Sequence, residues 1–272
     1  AQTPALPQDP PASYYSISTP ENLVEFEMMT WPEVYRTIHH EGKTTALFYT
    51  GGTESRGPQN INGGHNIMAK ATVKAIALKL GNAIAMPVLP YTPNNASGQV
   101  TGTIGLTPEI FALVLERISE EAITTGFKNI ILMGDHGGGQ PAVYRQVATK
   151  LENKYAALAR KQNRAHDVHV YFCNDVYATA QADFDKYLTS KNLPVSTHAG
   201  IPDTSTMMYL QGNTNDYTRL DLLPLAVTAG GRVPSGVTGD GRRSSIELGR
   251  MAFDMKVDYA VRQIRQLTAS GK

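Results

Sequence analysis

Four short apolar runs, each closed by glycine, proline or asparagine, punctuate this chain: "TTALFYTGG", "AIAMPVLP", "NIILMG" and "DVHVYFCN". Segments with apolar residues at helical spacing separate and follow them, among them "NIMAKATVKAIALKLG", "TPEIFALVLERISEEAITTGF", "PAVYRQVATKLENKYAALARKQN" and "SSIELGRMAFDMKVDYAVRQIRQL". Their ends carry helix punctuation. Gly81 closes the first. Thr107 is a ready N-cap, with Pro108 in the first turn and Gly126 as the stop. Apolar strands alternating with helices predict an α/β domain whose largely parallel sheet is covered on both faces.

No internal repeat or composition break divides the chain, so residues 21–272 are expected to form one domain. Residues 1–20 read as a flexible arm, because four prolines fall in the first eleven positions. The start, without Met and small and Pro-rich, leads us to expect a processed, exported protein, periplasmic or secreted. A net charge of +1 over 272 residues supplies no field for nucleic acid or an anionic membrane, and no apolar run approaches a membrane span. The expected partner is a small-molecule substrate. The lone Cys173, among apolar neighbours, is expected to be a buried strand residue and excludes a multi-cysteine zinc site.

In open α/β sheets, ligands gather where strands end. Two glycine-rich segments, "GGTESRG" and "GDHGGG", begin at such ends and can face one pocket. His39, His40, His166 and His169 read as surface, loop or strand residues. His65, His136 and His198 instead lie in "NGGHN", "GDHGGG" and "STHAG". Together with Glu54 they offer imidazoles and a carboxylate. Two imidazoles and one carboxylate make a catalytic zinc set with a position left for water, and equally the facial triad of non-haem iron. Spacing alone does not choose among these residues.

The blocks "GGTESRGPQNINGGHN", "VTGTIGL", "IILMGDHGGGQ", "HAGIPDTSTMM" and "GVTGDGRRSSIELG" follow one another in the order and spacing of the creatininase (creatinine amidohydrolase) family, and "FEMMTWPEV" resembles its first helix. The resemblance runs from about residue 25 to about 262. It implies a three-layer α/β/α sandwich, metal-dependent hydrolysis of cyclic amides, lactones or related bonds, and a homo-oligomer, in the family usually a hexamer. The family's first block reads E-x-H-G-P-H-L-P-L-x-T-D. Here Glu54 keeps the acid, Arg56 replaces a metal-binding histidine, and His65 stands at the bridging aspartate. His136 matches a family histidine, and Gly138 takes the place of a glutamate used on the second metal. His198 matches a histidine that moves protons, and Asp203 replaces a glutamate. Gly57, Pro58, Gly102, Thr103, Gly137, Thr204 and Ser205 match unchanged.

These departures favour one divalent ion, zinc first and manganese or iron next, held by Glu54, His65 and His136. Arg56 would stand in for the second ion, as guanidinium stays charged and two cations without bridging carboxylates repel. The expected chemistry is attack by a metal-activated water, with His198 moving the proton, Arg56 binding an oxyanion or carboxylate, and Asp203 orienting His198 or a ligand. Asp135 is a weaker candidate that also suits a helix cap, and Tyr91 and Asn95 are possible substrate contacts. Two alternatives stay open: a lyase, isomerase or iron-dependent reaction on a sugar-like or cyclic substrate, and a non-catalytic binding protein derived from this fold.

Overall fold

Every residue of Thr45–Thr50 is buried, and its side chains alternate between two apolar layers. The computed structural model describes residues 9–94, 100–229 and 234–270. The first eight residues of the expected Pro-rich arm lie outside the described residues. In chain order the elements are α1 (Trp31–His39), β1 (Thr45–Thr50), α2 (Gly64–Leu80), β2 (Ala83–Ala85), α3 (Pro108–Thr125), β3 (Asn129–Gly134), α4 (Gln140–Lys161), β4 (His169–Phe172), α5 (Ala178–Ser190), α6 (Ile201–Gln211) and α7 (Ile246–Ser270).

The strands form one parallel sheet in the order β2-β1-β3-β4. On one face Ala46, Phe48, Ile130 and Leu132 pack against Phe111 and Leu115 of α3 and Val143, Val147 and Leu151 of α4. On the other, Leu47, Tyr49, Ile131 and Met133 meet Val73 and Ile76 of α2 and Val257, Val261 and Ile264 of α7. The result is the three-layer α/β/α arrangement. A strand buried on both faces must be apolar throughout, which is why these runs lack the polar alternation of a half-exposed sheet.

The expected punctuation is in place. The Thr107 hydroxyl accepts from the Ile110 N–H, and Gly81 ends α2 at φ 80°. The second strand is shorter than "AIAMPVLP" suggests, because Pro87 has no N–H for the ladder. Trp31 opens α1 and sits edge-on to Tyr14. Cys173 is buried, and burial pushes its thiol up to about 12.

The order 2-1-3-4 reverses direction between β1 and β3. After β1 the chain crosses to β2 on one side, and after β3 it crosses to β4 on the other, which opens a crevice at the carboxyl ends of the two central strands. Helices α6 and α7 close one flank of that crevice. They approach at Gly249, where an added Cβ would overlap the backbone carbonyl of Ser205. We therefore expect Gly249→Ala to destabilise the fold by on the order of 2 kcal/mol in urea unfolding, despite the helical preference of alanine. An unchanged or raised midpoint would mean that the two backbones can separate freely.

Candidate metal centre

Glu54 follows β1 in a loop that the rest of the chain fastens. Its N–H donates to the Asn62 carbonyl, and Ser55 N–H donates to Thr103 Oγ1. Gln59 Nε2 reaches the Ala199 carbonyl at 2.8 Å, and Asn60 Nδ2 reaches Thr204 Oγ1 at 2.9 Å, so the loop is stitched to the start of α6. Gln140 Nε2, opening α4, donates to the Gly51 carbonyl and to Thr92 Oγ1. His65 lies in the first turn of α2, and His136 follows β3 by two residues.

This scaffold brings the three expected ligands together. Glu54 is fully buried and His65 and His136 nearly so, and one donor atom from each lies within 4.8 Å of the others. His65 Nε2 is 2.9 Å from Glu54 Oε1, and His136 Nε2 is 3.4 Å from Glu54 Oε2. The donor chemistry fits a divalent ion, since two imidazoles and a carboxylate are a known zinc set.

Around these ligands stand residues that fix them. His65 Nδ1 sits 3.3 Å from Asp135 Oδ1, and neither atom has a hydrogen-bond partner elsewhere among the described residues. Asp135 Oδ2 accepts from Lys256 Nζ of α7 at 2.7 Å. A carboxylate behind a ligating histidine fixes the ring and raises its basicity. Asp135 therefore supports the site and does not act as a helix cap. Asn94 Nδ2 donates to the Thr53 and Ile104 carbonyls, which turns its Oδ1 toward His136 Nε2 at 2.7 Å and positions that ring. Sequence reasoning missed Lys256 and Asn94. The lysine had a readable signal, because it falls on the stripe Ala252, Ala260 and Ile264 that α7 buries.

His198 lies beside the ligands. Its Nε2–H donates to the Ser55 carbonyl at 2.7 Å, so Nδ1 carries the lone pair and points toward Glu54 Oε1, 3.7 Å away. His65, Asp135, His136, Tyr177, His198 and Lys256 are among the residues lining a cavity of about 110 Å³. Tyr91 is exposed and does not line it; Asn95 lies outside the described residues.

The expectation that Arg56 meets substrate is corrected by its burial. The side chain is wholly enclosed, its guanidinium lies against Met68 Sδ, and Nη2 is 2.7 Å from Asp203 Oδ1. It has no face on the cavity. Gly64 makes room for it, since a Cβ there would overlap the guanidinium. Asp203 is the third residue of α6, and its Oδ2 accepts from the Ala199 N–H at 2.6 Å, which holds the segment carrying His198.

The charges are tuned together. Burial works to raise Glu54, but His65, His136 and His198 outweigh it and bring the carboxyl down to about 2. Burial, with His65 alongside, pushes His136 down to about 4, so it is neutral near pH 7. Burial and Arg56 work to lower His65, yet the flanking carboxylates of Asp135 and Glu54 hold it above the ordinary imidazole value. Burial opposes ionisation of Asp203, and the Arg56 guanidinium wins, holding the carboxyl well below the usual range.

Asp203→Asn keeps the shape of the carboxylate and removes its charge, leaving a wholly buried guanidinium without a counter-ion. The expected loss is on the order of 3 kcal/mol, read by chemical denaturation at neutral pH. A loss below about 1 kcal/mol would make this a solvent-screened pair.

The family profile for creatinine amidohydrolase (creatininase) matches residues 27–264. Among solved structures, "Creatininase Mn" superposes with a TM-score of 0.67 at 18% identity, over 90% of this chain and 98% of its own. A creatinine amidohydrolase (creatininase) crystal structure gives 0.67 at 18%, over 90% and 97%. A glutamate-to-glutamine creatininase mutant of Zn-Zn type gives 0.66 at 19%, over 90% and 98%. At such identities the likeness speaks for the fold. No curated protein matches the chain. The profile covers most of the sequence, and on that match this chain belongs to the creatininase family.

Proposed function

We propose that this protein is a hydrolase that uses one divalent metal ion to open a cyclic amide, a lactone or a related C–N or C–O bond. The observation that carries this reading is the convergence of Glu54, His65 and His136 within 4.8 Å, buried, at the carboxyl ends of the two central strands. The Mn and Zn-Zn relatives favour a transition ion over magnesium or calcium. When bound, the ion would supply Lewis acidity and activate water as the nucleophile.

One ion rather than two is supported by what already occupies the neighbourhood. The carboxylates a second ion would attract are matched by protein cations, Asp203 by Arg56 and Asp135 by Lys256. At Gly138, the family's glutamate position, a Cβ would come within 2.7 Å of the Pro93 carbonyl and 2.9 Å of His136 Nε2. An acidic side chain has no room there.

The geometry supports the remaining roles. His198, with Nε2–H committed to Ser55, takes the proton of the attacking water at Nδ1 and returns it to the leaving nitrogen or oxygen. Lys256, on the cavity wall, holds Asp135 ionised, and Asp135 in turn orients His65. The cavity size suits a small ring rather than a polymer.

Purified protein not exposed to chelator is expected to carry about one equivalent of transition metal by elemental analysis, and to turn over in a screen of small lactams, lactones and N-acyl compounds. His136→Ala should abolish turnover and lose that metal; activity surviving intact would refute the ligand set. His198→Gln should retain the metal and lower kcat by about 10²- to 10⁴-fold; an unchanged kcat would remove it from the proton path. The two imidazoles also differ in charge. At about pH 6 the raised His65 is protonated and the lowered His136 is not. Zinc loading at that pH should therefore release about one proton, read by calorimetry in buffers of different ionisation enthalpy.

A further inference from the structure

The second convergence of histidine and carboxylate lies at the opposite end of the sheet. His169 opens β4, where it pairs in register with Asn129 at the start of β3, and β4 is one of the two edge strands of the described sheet. Glu152 projects from α4, which packs alongside, and His166 lies three residues before His169. Glu152 Oε2 accepts the N–H of Val170 at 2.8 Å, which fixes the carboxylate and leaves Oε1 facing both rings. His169 Nδ1 is 3.0 Å from that oxygen and His166 Nε2 is 3.6 Å from it. The ring centroids are 4.4 Å apart.

We propose that Glu152, His166 and His169 form a second metal site, for one divalent cation of the zinc class, separate from the cavity at the carboxyl ends of the strands. Three observations carry it. One donor atom from each residue lies within 4.8 Å of the others. His166 Nε2 is shielded from solvent, aimed at this carboxylate, and without a hydrogen-bond partner among the described residues. At 3.6 Å it is too far for a hydrogen bond, yet a tetrahedral ion with bonds of about 2.0–2.1 Å sets its ligands roughly 3.3 Å apart. The two distances from Glu152 Oε1, 3.0 and 3.6 Å, lie either side of that edge.

The neighbouring acid does not complete a full protein shell. Asp167 is taken by Lys128 Nζ and Arg164 Nη1, each at 2.8 Å. The fourth position is therefore left to water, as suits a cation bound from solution. Imidazole nitrogen and a single carboxylate oxygen favour zinc, nickel or copper over magnesium or calcium. The site joins the middle of α4 to the first residue of β4 and touches no residue of the cavity, so its expected part is to clasp the sheet edge rather than to catalyse.

The test counts zinc in chelator-stripped protein by calorimetry with elemental analysis. Wild-type protein should bind two equivalents, the His166→Gln, His169→Gln double variant one, and His136→Ala one. His136→Ala combined with the double variant should bind none. Failure of the proposed hydrolase would show as loss of the His136-dependent equivalent, whereas failure of this site would show in the His136→Ala background. If His136→Ala protein takes up no zinc, or if the double variant binds as much as wild type, the second site is overturned. A readout independent of variant folding is the ring-nitrogen NMR of His136→Ala protein: zinc should shift the signals of two imidazoles, assigned to His166 and His169. Signals that stay unmoved would overturn the proposal as well.

Discussion

Ionised groups buried beneath a crevice set the terms for this molecule. A carboxylate or guanidinium removed from water is costly unless a partner of opposite charge stands within reach. Arg56 and Asp203 answer each other, as do Lys256 and Asp135, and Glu54 is ringed by three imidazoles. Each pair joins distant elements. Arg56 on the loop after β1 meets Asp203 on α6, and Asp135 after β3 meets Lys256 on α7. The same contacts that neutralise the charges thus fix the helices over the sheet, and the position of every candidate ligand inherits their geometry.

Topology explains why these groups meet where they do. A parallel sheet whose order reverses at its centre opens at the ends of the two central strands. Glu54 and His65 descend from one of those strands and His136 from the other. Backbones there must pass close to side chains, and glycine permits it: Gly64 accommodates the Arg56 guanidinium, and Gly138 lies against the His136 ring. The helices facing the crevice add the residues that tune it, His198 before α6 and Lys256 from α7.

Much of this was legible in the sequence. Continuous apolar runs gave away strands buried on both faces, and Glu54, His65, His136 and His198 stood out by lying in glycine-rich turns. What stayed hidden were properties of distance. Arg56 is written in a polar loop among small residues, so nothing local reveals that the guanidinium is folded inward onto Met68 and Asp203. Asn94 sits in a polar loop where such residues are ordinary, and its role comes from two carbonyls that hold its amide. Helix α5 went unread although Ala180, Phe184 and Leu188 recur every four residues, because the polar positions between them dilute the pattern. The pair His166 and His169 reads as strand margin until α4 brings Glu152 against it.

The reach of α7 has a consequence for how the protein is made. Lys256 arrives on α7, more than a hundred residues after the aspartate it neutralises, and the same helix completes one apolar layer of the sheet. While that helix is still inside the ribosome, Asp135 has no ammonium to face and the orientation of His65 is unsupported. The crevice at the carboxyl ends of the strands therefore takes its final form only after α7 has emerged and packed against the sheet.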